Sequence, residues 1–291
     1  MEPNNMAHSS LSIVLPARNE AAAVGSTVAA IVARYPQAEV LVVDDGSSDE
    51  TAQVALAAGA KVVSHPYSKG NGAAIKTGAR AAVGNVIIFM DADGQHDPAD
   101  IPRLLAKLEE GYDMVVGARD RGSQASVGRS LANRFYNRLA RYMTGHKVED
   151  LTSGFRAARA DKFREFLYLL PNGFSYPTTS TMAFFRAGYG VAYVPIRAGK
   201  RIGKSHIHLL KDGARFLLII FKIGTLYSPL KLFAPVALML FVLASGWYGY
   251  TLLEQGRFTN MSALLYTGSV TVFLMGLISE QITALMYRDR S

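Results

Sequence analysis

Two carboxylates that directly follow an apolar run are the strongest chemical signal in the sequence. The run at residues 86–90 reads Val-Ile-Ile-Phe-Met and is followed by Asp91-Ala-Asp93. A short apolar run of this kind is typical of a buried strand. A strand that ends in Asp-x-Asp places both carboxylates at one edge of a sheet, where they can bind a divalent cation that in turn binds a diphosphate. Because the ligands are oxygen atoms, the pattern indicates Mg²⁺ or Mn²⁺.

Two other interpretations of this acidic segment fit the sequence less well. An EF-hand calcium loop that began at Asp91 would need Gly at its sixth position and Glu at its twelfth, but Gly94 is fourth and Pro102 is twelfth. A helix N-cap is the other common role of an aspartate, and Asp97 followed by Pro98 is the better candidate for it. Asp91 and Asp93 therefore remain the predicted metal ligands.

Strand-like and helix-like segments alternate over the first 200 residues, which predicts an α/β fold with a doubly wound parallel sheet. The predicted strands cover residues 11–15, 40–43, 61–64, 86–90, 114–117 and, with a weaker signal, 189–194. Ligands of such sheets bind beyond the carboxyl ends of the strands. Polar residues follow four of the strands: Pro16-Ala17-Arg18-Asn19-Glu20, Asp44-Asp45, Asp91 with Asp93, and Arg119. A cap or a solvated turn explains any one of these groups, but explains the four together poorly.

A glycine-rich turn, Lys69-Gly70-Asn71-Gly72, precedes a predicted helix. Such a turn can bind phosphate at the helix N-terminus. It is not a P-loop, because the Gly-Lys-Ser/Thr ending is missing. A plain turn into a helix explains the glycines equally well, so both interpretations stay open.

Basic residues concentrate between residues 200 and 231. Seven lysines and arginines lie there against one acid, Asp212. Lys204, Lys211, Arg215 and Lys222 fall on one stripe of a helix whose other side is apolar, as in a helix that lies in a membrane interface. A nucleic-acid-binding helix is the alternative, and the broad apolar face disfavours it. The arginines at 134, 138 and 141 also share a helix face, but such a face is usually only solvated.

Two long uncharged stretches close the chain, residues 232–253 and 261–279. Each is long enough to span a membrane, so we expect a two-helix transmembrane hairpin. Basic residues flank both ends, which places both termini and the catalytic part in the cytoplasm, at the cell (inner) membrane. The N-terminus has no signal-peptide pattern, in agreement with this topology. Glu280 is expected to reach the interface or to pair with Arg288.

Bulk composition agrees with a soluble part joined to a membrane part. The chain has 291 residues, 49% hydrophobic residues, a net charge of +8 and no cysteine, which excludes disulfides and thiolate metal sites. We expect a catalytic domain at residues 1–200, basic amphipathic helices at 201–229 and transmembrane helices at 230–291. Two spans per chain favour a homo-oligomer.

Several motifs in order resemble those of GT-A glycosyltransferases of family 2. They are Pro-Ala-Arg-Asn-Glu (16–20), Val-Asp-Asp-Gly-Ser-Ser-Asp-Glu-Thr (43–51), Lys-Gly-Asn-Gly-Ala-Ala (69–74), Asp-Ala-Asp-Gly-Gln (91–95) and Thr-Ser-Gly-Phe-Arg (152–156). With the C-terminal hairpin, the chain resembles polyprenyl-phosphate glycosyltransferases such as dolichyl-phosphate mannose synthase and undecaprenyl-phosphate glucosyltransferases. The resemblance implies transfer of a hexose from a GDP- or UDP-sugar to a polyprenyl phosphate, with inversion.

The resemblance also implies roles for individual residues. The nucleotide would be bound by Pro16, Ala17, Arg18, Glu20, Asp44, Asp45, Lys69, Gly72, Asp91, Ala92 and Asp93. Asp91, Asp93 and Gln95 would hold the metal and the diphosphate, and Arg119, Arg129 and Arg201 would receive the lipid phosphate. Asp150, Ser153, Arg156, Arg201 and Lys204 would form the acceptor side. Arg18 departs from the Tyr that the family often has, although a guanidinium can also stack on a base.

Three other functions remain open at the level of the sequence. A processive polysaccharide synthase would carry Gln-x-x-Arg-Trp, but the only tryptophan is Trp247, inside a predicted span. A transferase acting on another lipid or on a protein is the second. The third is a catalytically silent membrane scaffold on the same fold, which the intact Asp-x-Asp motif disfavours.

Overall fold

The computed structural model of the chain describes residues 10–119, 137–173, 175–197, 199, 221 and 224–288. The side chains of residues 287 and 288 are not described. The chain divides into two compact units, Met1–His208 and Leu209–Ser291. The predicted interfacial helices, with Lys204, Lys211, Arg215 and Lys222, lie outside the described residues.

Strands and helices alternate in the first unit, as predicted. The elements are β1 (Leu11–Ala17), α1 (Ala21–Arg34), β2 (Glu39–Asp44), α2 (Thr51–Ala57), β3 (Lys61–Ser64), α3 (Asn71–Ala81), β4 (Val86–Phe89), α4 (Ile101–Glu109), β5 (Met114–Arg119), β6 (Arg156–Arg159), α5 (Ala160–Glu165), α6 (Tyr176–Arg186) and β7 (Val191–Ile196). A short 3₁₀ turn, Pro98–Asp100, leads into α4. Asp97 caps that turn by accepting a hydrogen bond from the Ala99 amide, as predicted.

The seven strands form one mixed sheet in the order β3-β2-β1-β4-β6-β5-β7. Strand β1 pairs in parallel with β2 and β4, and β2 pairs in parallel with β3, as in the predicted parallel sheet. The prediction of an all-parallel sheet is wrong at β6, which runs antiparallel between β4 and β5. Its sequence, Arg-Ala-Ala-Arg, has no β-branched or aromatic residue and thus carries no strand signal.

Helices cover both faces of the sheet, because successive strand residues point to opposite sides. On one face Ile13 and Leu15 pack with the apolar sides of α1 and α4. On the other, Phe89 contacts Phe163 of α5 at 4.5 Å between ring centroids. Gly78 of α3 lets this helix approach β1, since a Cβ there would lie 2.3 Å from a methyl of Val14. This double cover holds the strand ends, and the polar residues beyond them, in fixed positions.

The second unit is an antiparallel pair of long helices, α7 (Pro229–Gln255) and α8 (Asn260–Arg288). Both are long and apolar enough to cross a membrane. Their contact is lined by small residues spaced seven apart, as in coiled coils. On α7 these are Ala237, Ala244 and Thr251, and on α8 they are Ser262, Ser269, Gly276 and Thr283.

Polar groups at the helix contact are hydrogen-bonded within the pair. The Ser269 hydroxyl donates to the Ala237 carbonyl at 2.8 Å. Glu280 accepts a hydrogen bond from the Leu230 amide at 3.2 Å, in the first turn of α7. Glu280 therefore accepts a hydrogen bond from one of the free amides at the N-terminus of α7. The sequence did not suggest this partner.

Candidate active site

The Asp-x-Asp segment lies at the carboxyl end of β4, next to the end of β1. Strand β4 is buried throughout, and the amide of Met90 donates to the Val14 carbonyl at 3.1 Å, so the following turn starts from a fixed point. The side chain of Asp91 is 37% exposed. Asp93 is buried and accepts a hydrogen bond from the Gln95 amide at 3.1 Å. The two carboxylates are thus held on one short turn, and one of them reaches solvent.

Gly154, in the turn before β6, lies directly against the Asp91 carboxylate. A Cβ at this position would be 2.9 Å from one carboxylate oxygen of Asp91 and 3.2 Å from the other. The neighbouring Phe155 stacks on the ring of His96, with 5.1 Å between ring centroids. The Asp91 amide donates to Nδ1 of His96 at 3.4 Å, a long hydrogen bond. The turn predicted for the acceptor side therefore contacts the predicted metal site.

Gln95 connects the same turn to the segment after β7. The amide of Gly199 donates to the Gln95 carbonyl at 2.8 Å, and the Gln95 side-chain amide donates to the Gly199 carbonyl at 3.4 Å. The predicted site residues Arg129, Arg201 and Lys204 lie outside the described residues.

Side chains after β2 hold the loop that follows β1. Pro16 and Ala17 end β1 beside Val43 and Asp44. The hydroxyl of Ser47 accepts from the Asn19 amide at 2.9 Å, and that of Thr51 accepts from the Glu20 amide at 2.9 Å. Asp44 itself accepts hydrogen bonds from the amide and hydroxyl of Ser47. Arg18 is exposed at the tip of this loop.

Asp45 is buried and organises the loop after β3. It accepts from the side chains of His65 and Ser68 and from the amides of Lys69 and Gly70, at 2.7–2.8 Å. Burial alone would raise the pKa of Asp45, but these hydrogen bonds, that of His65 foremost, hold it below its ordinary value. Each of its two oxygens accepts two hydrogen bonds, so Asp45 orders this loop. Its contact with the nucleotide stays a prediction.

The N-terminus of α3 is closed by the chain itself. The Gly72 amide donates to the Gly173 carbonyl at 3.1 Å, and the Ala73 amide donates to the Asn172 carbonyl at 2.9 Å. A Cβ at position 72 would lie 2.0 Å from the Pro171 carbonyl oxygen. The glycine therefore admits the 171–173 loop, whose carbonyls accept hydrogen bonds from the first amides of α3. The contact of Lys69 and Gly72 with the nucleotide stays a prediction.

Arg119, at the end of β5, forms a two-pronged ion pair with Asp150. Its Nε lies 2.8 Å from one carboxylate oxygen and its Nη2 lies 3.0 Å from the other. Nη2 also donates to the Thr152 hydroxyl at 2.6 Å. Burial would raise the pKa of Asp150, but the Arg119 hydrogen bond and charge lower it below its ordinary value. The pair fixes the 150–154 turn beside the end of β5.

Arg156 is fully buried behind this turn, so it does not contact an acceptor directly. It donates to the carbonyls of Ser153 and Pro177 and to the Ser180 hydroxyl, and it packs on the ring of Tyr176. Burial lowers its pKa from the ordinary value. Ser153 is buried as well, and within the described part of the chain its hydroxyl has no hydrogen-bond partner. Arg156 thus supports the turn from behind, and its part in shaping the acceptor side stays a prediction.

The donor atoms around Asp91 suit a hard divalent cation. Asp91 and Asp93 supply carboxylate oxygens, which Mg²⁺ and Mn²⁺ prefer. Over the described residues, no three His, Asp or Glu side chains cluster closely enough to hold a metal by themselves. Further oxygen ligands would have to come from Gln95, solvent or a bound diphosphate, as is usual for Mg²⁺ sites that bind substrate phosphates.

Sequence reasoning missed three contributors to the site. His65 and Tyr67 form the loop held by Asp45, and Gly154 borders Asp91. A signal for His65 was available, since this histidine follows directly on a strand and lies three positions before a Ser-Lys-Gly turn. The contact between Gly154 and Asp91 joins residues 63 positions apart, and no local pattern reports it.

Comparison with known proteins fits this geometry. The model of glycosyl transferase family 2 matches residues 12–167, more than half of the chain. The chain belongs to glycosyltransferase family 2. A second model, the GtrB C-terminal hairpin, matches residues 228–285 and covers the paired helices α7 and α8. The predicted family and fold class are therefore confirmed over both units.

Two curated relatives of this glycosyltransferase differ in how much of the chain they match. Glycosyltransferase AglJ from Haloferax volcanii is 30% identical over 234 residues, 77% of this chain and 75% of AglJ. The undecaprenyl-phosphate 4-deoxy-4-formamido-L-arabinose transferase of Klebsiella pneumoniae is 38% identical over 159 residues. That match spans 51% of this chain and only 48% of the relative.

Solved structures of glucosyl-3-phosphoglycerate synthase from Mycobacterium tuberculosis share the fold. The complex with Mn²⁺, UDP-glucose and phosphoglyceric acid has a TM-score of 0.62 and is 25% identical, covering 75% of this chain and 80% of that one. The complex with Mn²⁺ and UDP-glucose has a TM-score of 0.58 and is 26% identical, covering 75% and 79%.

Proposed function

We propose that this glycosyltransferase moves a hexose from a nucleotide sugar, of the GDP-mannose or UDP-glucose type, to a polyprenyl phosphate, with inversion at the anomeric carbon. One observation carries the proposal: a family 2 chain combines Asp91 and Asp93 beyond β4 with two paired, long apolar helices. The carboxylates suit a diphosphate donor, and the helices suit an acceptor that resides in a membrane. The name of the Klebsiella relative, an undecaprenyl-phosphate sugar transferase, supports the same acceptor class.

The proposed chemistry needs no strong general base. A phosphate monoester has a second pKa of about 6, so its oxygen is largely ionised near neutral pH. This oxygen attacks the anomeric carbon, the bond from that carbon to the diphosphate oxygen breaks, and the nucleoside diphosphate leaves with the bonding electrons. A product with inverted configuration follows from attack opposite the leaving group.

The donor side is assigned to the turn beyond β4. A Mg²⁺ or Mn²⁺ ion held by Asp91, Asp93 and Gln95 would supply positive charge to the departing diphosphate. The Mn²⁺ and UDP-glucose complexes of glucosyl-3-phosphoglycerate synthase support this choice. Asp93 fixes the turn through the Gln95 amide, which keeps the two carboxylates together when the donor leaves.

The acceptor side is assigned to Arg119 and the turn it holds, with Arg129, Arg201 and Lys204 as further predicted contacts. The bonds of Arg119 to Asp150 and Thr152 use Nε and Nη2. A guanidinium has five N–H donors, so Arg119 can hold a phosphate as well. In this proposal Asp150 orients the guanidinium, and Gly154 lets the turn approach Asp91.

The membrane assignment completes the proposal. The helices α7 and α8 form a hairpin in the cell (inner) membrane, with the catalytic unit and both termini in the cytoplasm. Support comes from the apolar length of both helices and from the basic residues that flank them in the sequence. A homo-oligomer is part of the proposal, because two spans per chain pack more readily in an assembly.

Carboxylate substitutions test the proposed reaction. Asp91→Asn and Asp93→Asn should each reduce transfer of radiolabelled sugar to undecaprenyl phosphate to below about 1% of the wild-type rate, because the diphosphate loses its electrostatic support. Asp97→Asn is the matched control, since it changes a nearby exposed carboxylate that only caps a helix, and Asn also caps well. Wild-type transfer by both site variants would contradict the metal role.

A further inference from the structure

The loop that follows β3, residues 65–70, is fixed by several hydrogen bonds to buried side chains. The Asp45 carboxylate accepts four hydrogen bonds, and all four donors belong to this loop. His65 is buried, and its second ring nitrogen lies 2.9 Å from the Thr77 hydroxyl on α3. A carboxylate only accepts, so Nδ1 of His65 donates to Asp45. The loop backbone is therefore fixed from both sides.

This fixed loop presents an exposed aromatic ring. Tyr67 is 66% exposed. The Lys69 ammonium lies 5.8 Å from the ring centroid, within the range of a cation–π contact. A single exposed aromatic is ordinary on a protein surface. An exposed ring on a loop fixed by a buried carboxylate is instead a preorganised contact surface.

Tyr67 lies at the edge of the sheet where nucleotides are expected to bind. Its backbone packs on Gly46, where a Cβ would lie 2.6 Å from the Tyr67 carbonyl carbon. Gly46 lies two residues beyond the end of β2 and has φ of +66°, which favours glycine. The ring is therefore carried beside the carboxyl end of β2, on the side of β3.

Arg18 stands on the other side of the same strand end. The sheet order β3-β2-β1 places β2 between the strands that carry Tyr67 and Arg18. Neighbouring strands lie about 4.8 Å apart, so the two loops start about 10 Å apart, enough for one flat ring between them. Arg18 is exposed and can stack on such a ring through its guanidinium plane.

We propose that the nucleobase of the donor stacks on Tyr67, with Arg18 on its opposite side. This inference rests on the proposed function, because it takes a nucleotide sugar as the donor. Stacking on an aromatic ring accepts every base, since every base has a π face. Tyr67 therefore contributes affinity for the nucleoside part, while the diphosphate is held elsewhere. The aromatic contact expected at position 18 in this family is thus supplied from the loop after β3.

Binding measurements on the full-length chain in detergent with Mn²⁺ test the proposal. The probes are UDP, GDP and inorganic pyrophosphate, which lacks a base. Tyr67→Ala should raise the Kd of the nucleoside diphosphate that the wild type binds by about 5- to 100-fold. The Kd of pyrophosphate should change by less than about twofold, and Tyr67→Phe should stay within about threefold of the wild type, because the ring remains. Tyr168→Ala, at another partly exposed tyrosine, is the matched control.

The outcomes separate this inference from the function on which it rests. Unchanged nucleoside diphosphate binding in Tyr67→Ala overturns the inference alone, and so does an equal loss for pyrophosphate. A wild-type chain that binds neither UDP nor GDP overturns the proposed function and the inference with it.

Fluorescence gives an independent readout. Trp247 is the only tryptophan, so Tyr67→Trp in a Trp247→Phe background carries a single indole. Nucleoside diphosphate should quench its emission with the same Kd as direct binding, because the base stacks on the introduced ring. Emission that does not respond to a bound nucleoside diphosphate contradicts the proposal.

Discussion

At the scale of single residues, the contact between Gly154 and Asp91 ties the two substrate sides together. The carboxylate that reaches solvent is bordered by a glycine from the turn that Arg119 and Asp150 hold. A side chain in place of the glycine hydrogen would push on the carboxylate oxygens first, since these are the nearest atoms. The geometry of a proposed metal ligand is thereby set by a residue that offers no ligand of its own.

Gly154→Ala should therefore impair catalysis more than stability. The added Cβ would lie 2.9 Å from an Asp91 oxygen, which must shift. We expect a loss of about tenfold or more in kcat/KM and a higher Mn²⁺ concentration for half-maximal rate, because small displacements of reacting groups are costly. Gly173→Ala is the control, since a Cβ there meets no atom within 4 Å. Equal activity of the two variants would contradict the contact.

The ion pair of Asp150 with Arg119 predicts a pH dependence of stability. The pKa of Asp150 is lowered in the folded chain, so its contribution is fully present above the unfolded value of about 3.9 and is lost as the pH falls through the folded value. Asp150→Asn should destabilise by about 1–3 kcal/mol at pH 7, because it leaves the Arg119 charge poorly compensated.

Thermal unfolding of the full chain as a function of pH measures this effect. The melting temperature of Asp150→Asn should lie below that of the wild type at pH 7, and the gap should narrow below about pH 4. Glu149→Gln, which breaks the exposed pair with Lys147, should change little at any pH. A gap that widens as the pH falls would contradict the assigned ion pair.

At the scale of elements, local patterns predicted most of the fold. The strands at β1, β2 and β4 are short apolar runs, and the segments between them have helical composition, so run length, composition and alternation indicated them. Strand β6 was not predicted, because its sequence, Arg-Ala-Ala-Arg, carries no strand signal of its own. It becomes a strand only through its tertiary pairing with β4 and β5. The closure of α3 by residues 171–173 escaped for the same reason, since the partners lie about 100 positions apart.

Site prediction followed the same division. Asp91, Asp93 and Arg119 could be proposed from the sequence because each lies at or just beyond the end of a strand, and parallel strand ends meet at one edge. The hydrogen bonds of Asp45 could not be predicted, because their four donors come from a loop 20–25 positions away. A buried carboxylate and a ligand-binding carboxylate look alike in a sequence.

The helix pair offers a matched test of its packing. Gly276 lies in the contact, where a Cβ would be 2.8 Å from the Phe233 Cβ, whereas a Cβ at Gly268 meets nothing within 4 Å. Gly276→Leu should destabilise the pair by about 1–3 kcal/mol and lower the melting temperature in detergent, because overpacking forces the helices apart. Gly268→Leu should leave it nearly unchanged. The same shift in both variants would contradict the assigned contact face.

At the scale of the whole molecule, the proposed topology has the catalytic unit in the cytoplasm and the helix hairpin in the membrane. The chain has no cysteine, so single cysteines report topology without background labelling. In intact cells, Gln255→Cys, at the exposed C-terminal end of α7, should react with a membrane-impermeant thiol reagent, and Ser48→Cys in the catalytic unit should react only after lysis. Labelling of both in intact cells would contradict the proposed topology.

The central claim is that one chain couples a metal-dependent nucleotide-sugar site to a lipid phosphate. The most direct measurement is release of nucleoside diphosphate from a panel of UDP- and GDP-sugars, with and without undecaprenyl phosphate and Mn²⁺. We predict that one sugar nucleotide releases its diphosphate rapidly only when both the lipid phosphate and the metal are present, together with a sugar-linked lipid. Release that is independent of the lipid phosphate, or no release from any donor, would contradict the claim.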